Sequence, residues 1–552
     1  LSIRRQRQMC IRDRIKTIAT TPYTDQKMGT AGIRKKSKIV SQPNYIENFI
    51  QSLFDAIGGV KGQTFVLGGD GRYYNDIAIQ KIIKLAAANG MKKLIIGQNG
   101  MISTPASSKV LLKNHADGGL VLSASHNPGG ENGDFGIKYA TKSGGQCSSK
   151  ISDAIYARTK EILSFKTFDA PDVNLQNLGT QKLGDMEIEV IDPISVYTEM
   201  MESIFDFDAI KKLFKNGFTM VFDAMNAVTG PYALKIFEEI LGAPKGSVRN
   251  FIPKPDFGGL HPDPNLIYAK NLVDFMYSDN GPDFGAANDG DGDRNMILGH
   301  KFFVTPSDSL AILTDNYKYI PAYKNGIYGV AKSAATSTAV SRVAKALNIG
   351  YYEVPTGWKY FCNLMDSNRI TFCGEESFGT GSSHIREKDG IWAVLFWLNI
   401  IAATGKSVEQ ITRDFWHKYG RSYYLRFDYE GIDTNVADKL MADLEAKLPS
   451  LNGKTFGNYK VSDAAPFIYN DPVDGSSTKN GLIIRFADGS RIVYRLSGTG
   501  TNGATLRVYL EAYETKNLNA DPLAMLEPIA QIASDIAEIS KRTGKTKADV
   551  TT

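Results

Sequence analysis

Three aspartates alternate with glycines in the segment DGDGDR at 289–294. The side chains of Asp289, Asp291 and Asp293 recur at every second residue, and the glycines let the backbone curl until the carboxylates converge. Three hard oxygen ligands suit Mg²⁺, which takes octahedral oxygen coordination and accepts phosphate oxygens among its ligands. An EF-hand calcium loop would need Gly and Glu where this chain has Arg294 and His300. The segment therefore predicts a Mg²⁺ site, with a solvated acidic turn as the alternative.

The segment SASHNPGG at 123–130 offers a nucleophile. The apolar run 119–122 predicts a strand that delivers Ser125 into a loop, which Pro128 and two glycines bend sharply. A hydroxyl in such a loop, together with a divalent ion, suits phosphoryl transfer in which the serine carries the group covalently. An ordinary polar turn is the alternative interpretation of Ser125.

Four separated motifs carry a family resemblance: SASHNPGG at 123–130, DGDGDR at 289–294, GEESFG at 374–379 and RLSGTG at 495–500. From about Ile15 to near its C-terminus, the chain resembles the eukaryotic-type phosphoglucomutases of the α-D-phosphohexomutase superfamily. The resemblance implies an intramolecular phosphotransferase, an isomerase that interconverts glucose 1-phosphate and glucose 6-phosphate. It further implies phosphoserine at Ser125, Mg²⁺ as cofactor, and glucose 1,6-bisphosphate as intermediate and activator.

The resemblance also implies a role for each charged residue near the reaction. The implied metal ligands are Ser125, Asp289, Asp291 and Asp293. Candidates for the acid/base are His126 and Lys388, and a lysine needs desolvation or neighbouring cations to reach a useful pKa. Family analogy favours Lys388, with His126 assisting the phosphoserine, while Arg34 and Lys138 add positive charge. The alternatives are a surface ion pair for Lys388, a backbone-bonded turn residue for His126 and exposed cations for the other two.

Substrate recognition must accept the sugar in two opposite orientations. Glu375 and Ser377 fit that task, since a carboxylate accepts from two neighbouring hydroxyls and a serine donates or accepts. Trp358 either closes over the same ring or belongs to the core. Guanidinium forks, hydroxyls and backbone N–H groups near the C-terminus offer a cradle for the second phosphate. The predicted substrate-binding residues are Thr30, Arg294, Thr356, Gly357, Glu375, Ser377, Arg495, Ser497, Gly498, Thr499 and Arg507.

This chain departs from the usual family pattern at three positions. Ser123 replaces the more frequent Thr, Ala31 stands where many relatives have Ser, and Asn288 replaces an aromatic residue. None of these changes removes a charge or ligand that the mechanism needs. We therefore expect altered rates rather than lost activity.

Strand–loop–helix units begin near 65, 219 and 327, and this alternation predicts mixed α/β layers. The resemblance implies three related mixed-sheet α/β domains and a smaller α+β C-terminal domain around a central cleft. The predicted divisions are an unmatched, disordered or non-native arm at 1–14, a phosphoserine domain at 15–195, a metal-binding domain at 196–308, a sugar-binding domain at 309–420 and a phosphate-binding domain at 421–552.

Two nucleotide-binding motifs are rejected. Glycines at 498, 500 and 503 match a dinucleotide fingerprint, but residues 504–510 alternate like a strand where that site needs a helix. Gly453-Lys454-Thr455 resembles the end of a P-loop, yet position 448 is Leu where Gly is required.

Composition limits the partners. Of the net charge of +5, residues 1–14 carry +4 from five arginines and one aspartate, which leaves +1 for the remainder. Such a near-neutral body disfavours nucleic acid. The apolar run 391–403 is too short to span a bilayer and predicts a buried helix. Four cysteines without metal-ligand spacing are typical of reduced thiols, so we expect a cytoplasmic protein, a monomer or weak dimer, that binds hexose phosphates.

Two other functions remain as hypotheses. A metal-dependent phosphatase would release inorganic phosphate, but the sugar and phosphate motifs disfavour it. A non-catalytic phosphoprotein or scaffold would not need Ser125 and all three aspartates.

Overall fold

The computed structural model describes residues 14–29, 31–500 and 503–552, with the side chains of 498–500 outside the description. Within these residues the chain forms three mixed α/β units and an antiparallel C-terminal unit, which confirms the predicted fold class. The arm predicted at residues 1–14 lies outside the described residues, except for Arg14. The predicted domain limits stay predictions.

The first unit is built on a seven-stranded sheet of order β2-β6-β5-β3-β4-β9-β8, with β1 and β7 forming a separate pair. Strands β5, β3, β4 and β9 are parallel, while β6 runs antiparallel to β5. The strands are β1 (Ile15–Ala19), β2 (Ile33–Lys36), β3 (Thr64–Gly69), β4 (Lys93–Met101), β5 (Gly118–Leu122), β6 (Asp134–Thr141), β7 (Ser164–Phe168), β8 (Gly179–Leu183) and β9 (Met186–Ile191). The helices are Ser37–Val40, Tyr45–Ala56, Asn75–Ala88, Thr104–Lys113 and Ser149–Thr159.

The second unit has a five-stranded sheet of order β11-β10-β12-β13-β14, in which β10 and β12 are parallel and β12 and β13 antiparallel. Its strands are β10 (Met220–Asp223), β11 (Val248–Arg249), β12 (Phe284–Asn288), β13 (Asn295–Gly299) and β14 (Phe302–Val304). Its helical segments are Pro193–Ile204, Phe207–Lys215, Thr229–Ala233, Leu234–Ile240, Phe257–Gly259 and Lys270–Tyr277. The helix of the strand–loop–helix unit predicted near 219 begins at Thr229 and continues as a π-helix from Leu234.

The third unit has a four-stranded sheet of order β16-β15-β17-β18, in which β15 and β17 are parallel and β17 and β18 antiparallel. Its strands are β15 (Gly329–Ser333), β16 (Gly350–Val354), β17 (Phe372–Glu375) and β18 (Gly379–Ser382). Its helices are Pro306–Asp315, Tyr317–Tyr319, Ala339–Leu347, Trp358–Asp366, Gly390–Thr404 and Val408–Tyr419.

The same hairpin recurs in all three units. In each, a strand paired in parallel on one side turns back into an antiparallel neighbour: β5 into β6, β12 into β13, and β17 into β18. The serine motif, the aspartate motif and the GEESFG motif lie at these three turns. The three predicted functional segments are therefore topologically equivalent loops.

The C-terminal sheet has the order β20-β21-β22-β23-β24-β19-β25, and its pairings are antiparallel. Its strands are β19 (Arg421–Ile432), β20 (Thr455–Phe456), β21 (Tyr459–Asn470), β22 (Ser477–Phe486), β23 (Arg491–Gly500), β24 (Gly503–Glu514) and β25 (Val550–Thr551). Its helices are Thr434–Lys447, Leu448–Leu451, Pro522–Ala537 and Ile539–Thr543. Strand β24 begins at Gly503, as the alternation of residues 504–510 predicted.

The helix Gly390–Thr404 is buried along almost all of its length, as its apolar sequence, interrupted only by Asn399, predicted. It packs in the largest hydrophobic cluster. Among the described residues, no single helix has the length and apolarity to cross a membrane, and this helix meets the criteria only when joined to Val408–Tyr419 across an 84° bend.

Shortening a buried side chain in this helix should reduce the stability of the protein. Leu398→Ala should lower the free energy of unfolding by about 2–5 kcal/mol, because a fully buried leucine leaves a cavity. Leu163→Ala, at a side chain that is 71% exposed, is the matched control and should cost less than about 0.5 kcal/mol. Urea denaturation of both variants measures the difference, and equal costs would contradict the assigned burial.

Candidate active site

The three aspartates of the loop between β12 and β13 converge as predicted. One carboxylate oxygen from each of Asp289, Asp291 and Asp293 lies within 4.8 Å of the others, and all three side chains are buried. Oδ1 of Asp289 accepts the backbone N–H groups of Asp293 and Arg294, each at 3.0 Å, which closes the turn. Oδ1 of Asp291 and Oδ1 of Asp293 are buried without a hydrogen-bond partner among the described residues. This set of oxygen donors fits a divalent cation.

Lys138, on β6, partly compensates the charge of the aspartates. Its ammonium pairs with Asp291 and lies 3.3 Å from Oδ2 of Asp293, and the Thr104 hydroxyl donates to Asp291. Burial opposes the charged forms, but this pairing still holds the pKa of Asp291 below its usual range and that of Lys138 above it. Burial and the other two carboxylates raise the pKa of Asp289 well above its ordinary value.

Ser125 lies directly against the aspartate loop. Its hydroxyl donates to Oδ2 of Asp289 at 2.8 Å. The residue has φ +53°, a left-handed conformation that costs a non-glycine residue about 1–2 kcal/mol. A Cβ at Gly290 would lie 2.5 Å from the Ser125 carbonyl oxygen, so the glycine is required for the two loops to approach. The predicted juxtaposition of serine and aspartates is therefore present in the structure.

Asp70 and Arg72 support the serine loop, and the sequence did not indicate them. They form a fully buried ion pair after β3, with Nη2 of Arg72 2.8 Å from Oδ2 of Asp70. Arg72 also donates to the carbonyl oxygens of Ser125 and Asp134, each at 2.8 Å. The available signal was their position at the carboxyl end of a central parallel strand, where functional loops gather.

Lys388 lies where the aspartate loop meets the loop of the GEESFG motif at 374–379, which we call the sugar motif. Its ammonium is 3.8 Å from Oδ2 of Asp293 and 3.8 Å from Oε2 of Glu375. A Cβ at Gly379 would come within 2.4 Å of Cδ of Lys388, so this glycine leaves room for the lysine stem. The side chain is nearly buried, and the alternative of a surface ion pair with its sequence neighbours does not describe this position.

Glu387 is a second group that sequence reasoning missed. Burial, together with the nearby Asp293 charge, raises its pKa to about 7 against the opposing charge of Lys138. Its Oε2 is buried without a hydrogen-bond partner among the described residues. As one acidic residue in a charged stretch, Glu387 gave no local signal of this environment.

His126 lies among positive charges. Its ring stacks on His261 with centroids 6.5 Å apart, and its Nδ1 is buried without a partner in the described structure. Burial and the charges of Arg294 and Arg34 hold its pKa well below the usual range. Burial and Arg294 also lower the pKa of Arg34. His126 is therefore a neutral ring at physiological pH. It can donate or accept a hydrogen bond, but it does not supply positive charge.

The sugar motif faces the start of the helix Trp358–Asp366. Oε1 of Glu375 accepts the Gly357 N–H at 3.2 Å, and the Thr356 N–H donates to Oδ1 of Asn480 at 3.3 Å. Ser377 is half-buried on the turn between β17 and β18. Trp358 packs edge-on against a neighbouring phenylalanine and belongs to the core, which decides between its two interpretations.

The predicted phosphate cradle lies on the C-terminal sheet. Arg495 on β23 and Arg507 on β24 are directly opposite in register, and Ser497 is opposite Thr505. Nη1 of Arg495 donates to the Tyr509 hydroxyl at 3.2 Å. The predicted site residue Thr30 and the side chains at 498 and 499 lie outside the described residues. The two arginines thus place two positive charges on the same face of the C-terminal sheet, which is separate from the sheet of the aspartate loop.

A cavity of about 340 Å³ lies between the first and third units. Gly32 and Lys138 line one side, while Thr356 and Lys359 line the other. Among the described candidate site residues, Lys138 and Thr356 line this cavity, whereas Ser125, the three aspartates and Lys388 do not.

Family models match four consecutive parts of the chain. Three describe the alpha/beta/alpha domains of phosphoglucomutase/phosphomannomutase: domain I at residues 25–165, domain II at 195–301 and domain III at 305–419. The fourth, the C-terminal domain of phosphoglucomutase-1, matches residues 421–549. The chain belongs to the phosphoglucomutase/phosphomannomutase family.

Similar proteins point to one branch of that family. A phosphoglucomutase of Rhizobium radiobacter is 57% identical and covers 95% of this chain and 98% of its own. Phosphoglucomutase-1 of Oryctolagus cuniculus is 50% identical over 98% of this chain and 100% of its own. The crystal structure of the exocytosis-sensitive phosphoprotein pp63/parafusin, a phosphoglucomutase from Paramecium in its open form, superposes with a TM-score of 0.92 at 45% identity, covering 98% of this chain and 99% of that one. The resemblance to phosphoglucomutases is confirmed.

The environment of Glu387 predicts a specific pH dependence. Its pKa is raised from 4.5 to about 7 on folding, so its contribution to stability is present below pH 4.5 and is lost as pH rises through about 7. Glu387→Gln removes this loss, worth about 3 kcal/mol between pH 4.5 and 8. Relative to the parent protein, the variant should therefore be more stable at pH 8 than at pH 5.

Chemical denaturation at both pH values, with EDTA present, measures this difference. Glu161→Gln, at an exposed position, is the control and should change stability by less than about 0.5 kcal/mol at either pH. A Glu387→Gln effect that does not depend on pH would contradict the assigned environment.

Proposed function

We propose that the protein is a phosphoglucomutase that interconverts glucose 1-phosphate and glucose 6-phosphate through phosphoserine at Ser125 and bound glucose 1,6-bisphosphate. The observation that carries the proposal is the 2.8 Å contact between the Ser125 hydroxyl and Asp289, within a buried carboxylate trio that Lys138 and Lys388 border. A nucleophile, an anionic metal-binding group and two ammonium groups meet at one point.

Each half-reaction exchanges one P–O bond for another. The substrate hydroxyl oxygen bonds to the phosphorus, the bond between phosphorus and Oγ of Ser125 breaks, and the hydroxyl proton passes through a base to the serine oxygen. The reverse transfer then takes the other phosphoryl group of the bisphosphate back to Ser125, so the phosphate count is unchanged. Lys388, between Asp293 and Glu375, is our candidate acid/base, because it reaches toward both the aspartates and the sugar motif.

Asp289, Asp291 and Asp293, together with a phosphorylated Ser125, would hold Mg²⁺. Their two buried oxygens without partners support this assignment. A bound Mg²⁺ supplies positive charge that stabilises the phosphoryl oxygens. Lys138 pairs with two of the carboxylates, those of Asp291 and Asp293, and Arg34 adds a further cation beside His126.

The remaining predicted residues bind the substrate. Glu375 accepts sugar hydroxyls, with Gly357 fixing the orientation of its carboxylate and Ser377 on the adjoining turn. We assign the phosphate that does not react to the C-terminal cradle, and Arg294, at the end of the aspartate loop, to the substrate-binding residues. The cradle consists of Arg495, Ser497, Gly498, Thr499 and Arg507, and Thr30 and Thr356 complete the predicted set.

Neither the phosphatase nor the scaffold hypothesis is favoured, since the relatives at about 50% identity over nearly the whole chain carry the name phosphoglucomutase. A cytoplasmic location, a monomer or weak dimer and the absence of a nucleic-acid partner remain predictions.

Ser125→Ala should reduce conversion of glucose 1-phosphate to glucose 6-phosphate by at least about a thousandfold, because no other group would carry the phosphoryl. A coupled assay with Mg²⁺ and glucose 1,6-bisphosphate measures turnover, and intact-mass spectrometry locates the phosphate. Ser309→Ala, at another buried serine, is the control and should keep full activity.

Full activity in Ser125→Ala would exclude Ser125 as the carrier of the phosphoryl group. Inorganic phosphate as the main product would favour the phosphatase, and phosphorylation without turnover would favour the scaffold.

Arg507→Gln should raise the KM for glucose 1-phosphate about 10- to 100-fold, the equivalent of losing a charge-assisted hydrogen bond worth about 1.5–3 kcal/mol. Arg485→Gln, an arginine on β22 that pairs with Asp463, is the matched control and should leave the KM unchanged. Steady-state kinetics decide the point, and an unchanged KM in Arg507→Gln would remove that residue from the cradle.

A further inference from the structure

The backbone of Ser125 is enclosed by a ring of hydrogen bonds. The Ser125 N–H donates to Oγ of Ser123 at 2.8 Å, and the Ser123 hydroxyl donates to Oδ2 of Asp70 at 2.6 Å. Asp70 pairs with Arg72, whose Nη2 donates back to the Ser125 carbonyl oxygen at 2.8 Å. Both polar backbone groups of one residue are thus bonded into a single closed path, here called the serine clamp: Asp70, Arg72, Ser123 and Ser125.

Arg72 uses its planar guanidinium in a way that no other side chain can reproduce. Nε donates to both oxygens of Asp70, Nη1 to the Asp134 carbonyl at 2.8 Å, and Nη2 to Ser125. Three directions of donation from one plane suit a guanidinium, whereas a lysine ammonium would supply the charge without the fork. The guanidinium also lies 5.1 Å from the ring centroid of Phe257, which covers it.

The conformation that the clamp enforces is the one that aims the nucleophile. Ser125 has a positive φ, and its hydroxyl points at Asp289. Because Cβ moves with the backbone dihedral φ, an extended backbone at this residue would change the direction of Oγ relative to the aspartate loop. The side chains of Asp70, Arg72 and Ser123 make no hydrogen bond to the three aspartates or to the GEESFG motif among the described residues, so their effect passes through the Ser125 backbone.

We propose that Asp70, Arg72 and Ser123 are positioning residues for phosphoryl transfer, which hold the Ser125 backbone in its left-handed conformation so that Oγ stays aimed at the metal loop. The inference rests on the proposed function for its kinetic consequences. Its structural content, control of the Ser125 backbone, is independent of the reaction.

Ser123 provides the cleanest test, because two substitutions separate its hydroxyl from its other contributions. Ser123→Ala removes the bridge between the Ser125 amide and Asp70, and kcat should fall roughly 10- to 100-fold, as for a small misplacement of a reacting group. KM should stay within about twofold, since substrate binding groups are untouched. Ser123→Thr keeps the hydroxyl and should restore kcat. Ser309→Ala, whose hydroxyl accepts from Nε1 of Trp397, controls for loss of a buried serine hydroxyl.

Arg72→Lys extends the test to the guanidinium group of Arg72 and its several N–H donors. The charge beside Asp70 is kept while the donation to two carbonyl groups is lost, so kcat should fall to a similar degree as in Ser123→Ala. If Arg72→Lys does not fold, the paired serine variants still decide the proposal.

Amide hydrogen exchange of segment 123–127 gives a readout that needs no turnover. Exchange there should be faster in Ser123→Ala than in the parent protein, and should return toward the parent rate in Ser123→Thr. Unchanged exchange and unchanged kcat in Ser123→Ala would overturn the clamp, as would equal losses in the Ala and Thr variants. A parent protein without mutase turnover would refute the proposed function, while the exchange data would still decide whether the clamp controls this backbone.

Discussion

The hydrogen bond from Ser125 to Asp289 joins the first unit to the second at the reacting hydroxyl, beside the pairing of Lys138 with Asp291. Ser125 lies in the turn from β5 to β6, and Asp289 at the turn from β12 to β13. This contact requires a left-handed serine on one side and a glycine without a side chain at position 290 on the other. Any relative movement that separates the two loops also separates the nucleophile from the carboxylates, so the packing of the first two units is part of the chemistry.

The repeated hairpin explains why the site lies at the meeting of three units. Each unit places one loop at the same topological position, and each loop contributes a different component: a hydroxyl, three carboxylates and Glu375, our candidate for sugar binding. Lys388 then connects the second and third components, with Asp293 and Glu375 each 3.8 Å from its ammonium. The C-terminal sheet, which has another topology, contributes paired arginines. In the proposed function, three related α/β units and one different domain would divide the recognition of a bisphosphorylated sugar among four surfaces.

What could be predicted from the sequence was local. The aspartate loop can be recognised in the sequence because alternation with glycine brings its carboxylates together within five residues. Strand β24 can be recognised because its apolar residues alternate with a period of two. The family motifs then indicated which of these local features share a site. The residues that were missed, Asp70, Arg72 and Glu387, are single charges whose environment depends on segments 50 or more residues away, or on burial. Trp358 was undecided for the same reason, since only tertiary packing distinguishes a core indole from one that covers a ligand.

The most direct test of the account is a crystal structure of the phosphorylated protein grown with Mn²⁺ in place of Mg²⁺, since Mn²⁺ accepts the same oxygen ligands and its position is revealed by anomalous scattering. We predict one anomalous peak bonded to carboxylate oxygens of Asp289, Asp291 and Asp293 and to an oxygen of a phosphate on Ser125. A phosphate on another residue, or a peak away from the three aspartates with Ser125 unmodified, would contradict the central claim.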